Sequence, residues 1–320
     1  MPFLRCKPYL LALAVSLLST PAAWSIDSPD TVPAAAWMNL RSPLYIWPAD
    51  GAIYYSFKTP QGVNAHLIVV DTRSGKWRFR PYLNDATTPT SETAQKTKAS
   101  AAVNGGYFNL TDGASASYVV VDGKEVANPR SNKALVENPK LAPYLERIFD
   151  RSEIRFLEDQ HGQIVIRIAT HSASIPEGLK LLHSLQAGPQ LLPVLKGKEE
   201  AFVRPEGDGK EADPIASNRA AARTAFGITP EGYAMIICIA GNGQQPESSG
   251  IALPALADLL KHLGCSEAIN LDGGSSTTMF VRSLGQTGGT PNGLPPGESV
   301  CGKSPETRVK SVLLLERSGR

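Results

Sequence analysis

The chain is poor in the residues that most often build metal sites and disulfide frameworks. Its 320 residues include four cysteines and five histidines, and none of them stands at the spacing of a zinc site. Charge of one sign is also missing: the formal net charge is +2, so binding to nucleic acid by counterion release has no evident source. Beyond the first 25 residues no apolar run approaches membrane-spanning length, which argues against a permanent span. The acidic residues Glu206, Asp208, Glu211 and Asp213 do not follow the calcium-loop pattern, and Glu199 to Asp213 reads as a charged, exposed loop. No cofactor is implied, and metal dependence stays open.

The two ends of the composition point to export. Residues 1–25 carry Arg5 and Lys7, an apolar run from Tyr9 to Leu18 and small residues up to Ser25, the pattern of a secretory signal peptide. Its removal leaves 32 − 2 = 30 basic side chains against 30 acidic ones, and takes Cys6 with it. Residues 26–50 are rich in Pro, Ala and Ser and read as an extended lead-in, followed by a single folded domain over 51–320. Of the remaining thiols, Cys238 lies in a buried-strand pattern, whereas Cys265 and Cys301 lie near turns and form a disulfide candidate in an oxidising compartment.

What the chain does have is a run that delivers one carboxylate into a bare backbone. Ala268-Ile269-Asn270-Leu271 is an apolar strand, and it ends in Asp272-Gly273-Gly274-Ser275-Ser276-Thr277. Paired glycines permit positive φ and close approach of a ligand to the main chain. An Asp-Gly hairpin turn would give the same local pattern. A second segment of the same design, Ala101-Ala102-Val103 into Asn104-Gly105-Gly106-Tyr107-Phe108-Asn109, favours one shared cleft. Between them, Arg219 and Arg223 stand four apart in a small, apolar segment. Arginine's planar fork suits a phosphate or carboxylate, so the cleft is expected to hold an anion, with a structural ion pair as the alternative.

Four ordered motifs, Asn104 to Asn109, Ala187 to Leu192, Arg223 to Gly227 and Asn270 to Thr277, resemble those of the phosphodiester glycosidase family, over roughly Val63 to Leu315. The resemblance implies hydrolysis of a sugar-1-phosphodiester, with an N-acetylglucosamine-like sugar on a phosphate, and a saccharide phosphodiester or cell-envelope glycan as partner. A departing phosphate monoester is a weak base and needs little protonation, so the usual second carboxylate is unnecessary. Asp272 is then the key carboxylate, as nucleophile, base or oxocarbenium stabiliser. Arg223 is the first choice for the phosphate clamp and Arg219 the second. Asn104, Gly105, Gly106, Gly273, Gly274, Ser275 and Ser276 would line the sugar and phosphate pocket. Two other readings stay open: a non-catalytic envelope protein holding an anionic saccharide, and a serine hydrolase using Ser275 or Ser276, for which no Gly-x-Ser-x-Gly elbow exists. No histidine falls inside the four motifs; His171 and His183 are the remaining catalytic candidates.

Hairpin signals dominate the rest. Strands are expected at Val63 to Asp71 and Trp77 to Arg80, a hairpin at Tyr118 to Val126 around Asp122-Gly123, paired strands at Ile154 to Leu157 and Ile164 to Ile168, and a closing strand at Val309 to Leu315. Helices are expected over Ser91 to Ser100, Leu141 to Ile148 and Pro254 to Leu263, the last with a leucine stripe ended by Gly264. With Met235 to Ala240 before it and the Asp272 strand after it, that helix makes a local β-α-β unit. The expected class is α+β, one domain with a mixed, largely antiparallel sheet flanked by helices.

Overall fold

A computed structural model describes residues 39–40, 45–47, 51–241, 249–282 and 297–319. The proposed signal peptide, 1–25, lies outside the described residues. Of the lead-in, Asn39–Leu40 and Tyr45–Trp47 are described as short strands, both paired with Ala52–Lys58.

Alternation along the buried strands organises the layers. Tyr233–Ile239 is apolar throughout and buried on both faces, as a strand in a covered sheet must be. Its odd positions Met235, Ile237 and Ile239 pack under the helix Leu253–His262, against Leu256, Leu259 and Leu260. Its even positions Ala234, Ile236 and Cys238 face the other way, into a core shared with Phe79, Val103, Phe156 and Leu313 from two further sheets. The strand belongs to an eight-stranded sheet. The two sheets it faces have five strands each, one including Ser152–Asp159 and Leu179–Gln186, the other Ala101–Asn104 and Arg308–Arg317. On the outer side of the latter, Ala102, Val312 and Leu314 pack against Ala94 of the helix Thr90–Thr97.

The expected class needs correction in two respects. Every registered strand pairing among the described residues is antiparallel, and the domain is built from sheets packed on sheets rather than from one sheet flanked by helices. The reason lies in strands such as Ala101–Asn104, apolar and small on both faces. A strand of that kind needs cover on two sides, and sheets supply most of it. The β-α-β unit survives in modified form: Tyr233–Ile239 and Glu267–Asn270 run parallel, but each pairs with Arg223–Ile228 lying between them.

Local expectations fared better. The hairpin Val119–Val121 to Lys124–Ala127 turns through Asp122 at φ 51° and Gly123 at φ 71°, the double left-handed geometry of a two-residue turn. The loop expected over Glu199 to Asp213 is exposed only in part. Glu200, Ala201, Phe202 and Val203 are buried, and Arg204–Gly207 pairs with Lys210–Ala212 in a small hairpin.

Candidate active site

The two polar-Gly-Gly segments meet where three strand ends converge. Arg223 opens one central strand and Asn270 closes its antiparallel neighbour, so both lie at one edge of the sheet. Asn104 closes a strand of the adjoining sheet. Its Nδ2 donates to the backbone carbonyl of Asp272 at 2.6 Å, across 168 residues of sequence. Its Oδ1 accepts from Thr224 Oγ1 at 2.7 Å and from the Thr278 backbone N–H at 3.1 Å. The Asp272 N–H donates to Gly105 O at 3.0 Å, and the Asp272 carboxylate accepts from Gly273 N at 2.9 Å. Each of these bonds fixes the backbone that carries the carboxylate.

The segments are joined, yet only one of them faces the opening. Asp272, Gly273, Gly274, Ser275 and Ser276 line a cleft of about 700 Å³, together with Arg219 and Arg223. Asn104, Gly105 and Gly106 do not line it. Asn104 is fully buried, and a Cβ on Gly105 would stand 2.6 Å from Ser311 Oγ and 2.9 Å from Ser311 O. A Cβ on Gly106 would collide with Gln186 O and Ser117 Oγ. These glycines are bare so that neighbouring strands can approach, not so that a ligand can. Gly274 is the position in either pair with positive φ, 59°.

Arg223 is deeply committed. Its Nε donates to Ile251 O at 3.0 Å, Nη1 to Ile215 O at 2.7 Å, and Nη2 to Ala216 O at 2.6 Å and Arg219 O at 3.0 Å. Four of its N–H groups thus hold main-chain carbonyls. The expectation of a freely gripping fork gives way to a guanidinium that lines the cleft while pinning the loop that carries Arg219.

Sequence reasoning missed two further arginines, Arg151 and Arg204, which line the same cleft. Arg151 donates through Nε to Glu200 O at 2.9 Å and lies 3.6 Å over the Phe202 ring. Burial lowers its pKa to about 10, and it stays charged at neutral pH. Four arginines therefore line the cleft together with Asp272, the sole acidic residue among its described lining. Arg151 and Arg204 repel each other, Arg204 helping to lower the Arg151 pKa, and an anion in the cleft would relieve that repulsion. Nothing in Asp150-Arg151-Ser152 marks it as a site; Phe202-Val203-Arg204, an apolar pair inside a charged stretch, is the one signal that was available. Tyr107 was also passed over, although it stands inside the first motif. Its hydroxyl donates to Gly188 O at 2.8 Å and accepts from Asn270 Nδ2 at 2.9 Å. Burial, reinforced by the Asp272 charge, raises its pKa and keeps it protonated.

Residues 97–315, well over half the chain, match the family model described as phosphodiester glycosidase. The chain belongs to the phosphodiester glycosidase family. Its fold is similar to the catalytic domain of zebrafish N-acetylglucosamine-1-phosphodiester alpha-N-acetylglucosaminidase auto-inhibited by pro-peptide. That pair is 17% identical with a TM-score of 0.55, covering 93% of this chain and 87% of that one. A hypothetical protein from Synechocystis gives 15% identity and a TM-score of 0.55 over 83% of this chain, and the match spans 62% of the Synechocystis chain. A putative exported protein from Burkholderia pseudomallei gives 16% and 0.50, over 83% of this chain and 74% of that one. At these identities the likeness shows the fold. No curated protein matches.

Other groups weighed for the site fall away from the cleft. None of the five histidines lines it. His171 Nδ1 pairs with Glu153 at 3.0 Å and its ring stacks on Tyr118, while His183 Nδ1 accepts from Asp122 N. Ser275 and Ser276 therefore have no imidazole base in the cleft. Among the described residues no group of histidine, cysteine and acidic side chains could hold a metal ion. The disulfide candidate is corrected: Cys238, Cys265 and Cys301 are all free and buried. Cys265 fills the space above Gly227 on the helix side of the sheet and donates to Met235 Sδ at 3.7 Å. Cys301 lies in the core on the opposite face, beside Cys238.

Proposed function

We propose that this protein is an exported hydrolase that splits the bond between C1 of a sugar and a phosphodiester oxygen, an N-acetylglucosamine-like sugar being the first candidate. The observation that carries the reading is the cleft's charge arrangement: its described lining holds one carboxylate, Asp272, and four arginines, Arg151, Arg204, Arg219 and Arg223. The C1–O bond breaks, its electron pair stays with the phosphate, and water supplies hydroxyl to the sugar and a proton to the solvent. Guanidinium groups stabilise the phosphate as charge develops on it, which takes the place of a general acid. Asp272 acts on the anomeric carbon, as nucleophile, base or stabiliser of the oxocarbenium ion. Arg219 and Arg204 contact the phosphate, and Arg223 contributes its charge while holding the Arg219 loop. Asn104, Gly105 and Gly106 support this site from behind rather than touching substrate.

Export rests on the pattern of residues 1–25 and is in keeping with a fold relative described as a putative exported protein. The test of function is incubation of purified protein with UDP-N-acetylglucosamine and with N-acetylglucosamine-1-phosphodiesters, measuring free sugar. Release by the wild type and none by Asp272→Asn supports the reading. Binding without release would favour a non-catalytic envelope protein that holds an anionic saccharide.

A further inference from the structure

The cleft has a second wall that the phosphate chemistry leaves unused. Phe108, Leu110, Leu135 and Leu141 line it along with the arginines and Asp272. Leu110 is 79% exposed. A single exposed leucine is ordinary, but several apolar side chains lining one cleft beside charged groups suit a contact surface. Leu110 is also held rigidly. Asn109 N donates to Ala114 O at 2.8 Å, Gly113 N to Asn109 O at 2.8 Å and Thr111 N to Asn109 Oδ1 at 3.0 Å, closing a tight loop that carries Leu110. Leu135 and Leu141 come from the short helix Lys133–Val136 and the turn that follows it, a stretch whose hydrophobic residues follow no helical or strand period. Those leucines are only half-buried by the fold itself.

We infer that the alcohol esterified on the far side of the phosphate is a hydrocarbon chain, so that the substrate is a glycosyl phosphodiester of a lipid-like or polyprenol-like alcohol. This rests on the function proposed above. One cleft offers guanidinium groups for an anion and, in the same lining, the side chains of Leu110, Leu135 and Leu141 for an alkyl group, the two demands of an amphiphile. A polar alcohol such as a sugar or glycerol would leave the apolar wall wet and gain nothing from it. Burying a methylene strengthens binding about fourfold, so a chain that covers even part of the wall separates the two classes clearly.

The experiment has a binding arm and a turnover arm. Octyl phosphate and glycerol phosphate are titrated calorimetrically into the wild-type protein, and octyl and glyceryl esters of N-acetylglucosamine-1-phosphate are compared in kcat/KM. Octyl phosphate is expected to bind at least tenfold tighter, the octyl ester to show a lower KM by a similar factor, and Leu110→Asp with Leu135→Asp to bring both ratios toward one. Equal binding of the two phosphates, or a preference for glycerol, overturns the inference. If neither ester is cleaved the phosphodiester glycosidase reading fails, and the binding ratio still decides the apolar subsite. Sedimentation completes the test: a dimer that Leu110→Asp dissociates would assign the patch to a second copy of the chain and overturn the substrate reading.

Discussion

Asn104-Gly105-Gly106 and Asp272-Gly273-Gly274 are written alike, a small apolar strand ending in a polar residue and two glycines, and they do different work. The first is sealed behind the site: its amide ties Thr224, Thr278 and the Asp272 carbonyl together, and its glycines make room for Ser311 and Gln186. The second borders the opening, in a cleft whose lining also holds four arginines. Even there Gly273 is bare mainly for a backbone, since its Cβ would stand 2.9 Å from Ala222 O. The pair teaches that a double glycine at a strand end reports a crowded junction first, and that the polar residue before it shows which side faces substrate.

Substitutions can break that division of labour. Asp272→Asn should lower kcat on a glycosyl phosphodiester by about a thousandfold or more, roughly 4 kcal/mol in the barrier, with a melting temperature close to wild type. Gly106→Ala should do the reverse: overpacking against Gln186 O costs about 3 kcal/mol of stability, and the fraction that stays folded keeps most of its activity. Thermal melts and rates on both variants check the contrast. A stable, inactive Gly106→Ala would move the first motif into the catalytic centre.

A second comparison separates Arg219 from Arg223. Lysine has one ammonium and cannot reach the four carbonyls that Arg223 holds, so Arg223→Lys should lose about 2 kcal/mol of stability along with activity. Arg219→Ala should raise KM about tenfold while the melting temperature barely moves. If Arg223→Lys melts like wild type and only KM rises, the original expectation of a direct phosphate clamp is restored.

Much of this was legible in the sequence, and the limits were physical. The Leu253–His262 helix showed through its leucine stripe, and the 119–127 hairpin through Asp122-Gly123, because those signals are local. The place of Asp272 on the cleft was legible because a carboxylate delivered by an apolar strand into paired glycines has few structural uses. The packing of sheets on sheets was not legible, since an all-apolar strand does not say whether a helix or another sheet covers it. Arg151 was invisible for a related reason: its place in the cleft depends on Glu200 and Phe202, about 50 residues away in sequence and carried on a stretch that looked solvated. The thiol pairing failed because turn context says nothing about which face of a sheet a cysteine occupies.

The smallest expected effect concerns Glu200, buried behind the cleft with Oε1 accepting from Ser152 Oγ at 2.7 Å and Gln190 N at 3.0 Å, and Oε2 without a partner. Burial raises its pKa above the ordinary glutamate value of 4.5. The folded protein therefore holds this proton more tightly than the unfolded chain does. Its contribution to stability is complete below pH 4.5 and is lost as pH climbs through the raised folded-state pKa. Glu200→Gln keeps the accepting oxygen and removes the titration, so its melting temperature should gain on wild type as pH rises across that window. Parallel pH profiles would mean that Glu200 is charged in the folded protein.

The central claim is that arginine-bound phosphate leaves without a general acid, and the leaving group is its most direct probe. Wild-type protein is compared on an N-acetylglucosamine-1-phosphodiester and on the methyl glycoside of the same sugar and anomer, measuring kcat/KM for each. The account predicts a preference for the phosphodiester of at least about a thousandfold, because the methoxide leaving group needs a proton and the described lining of the cleft holds no second carboxyl to supply it. Comparable rates on the two substrates would contradict it and require a general acid elsewhere in the cleft.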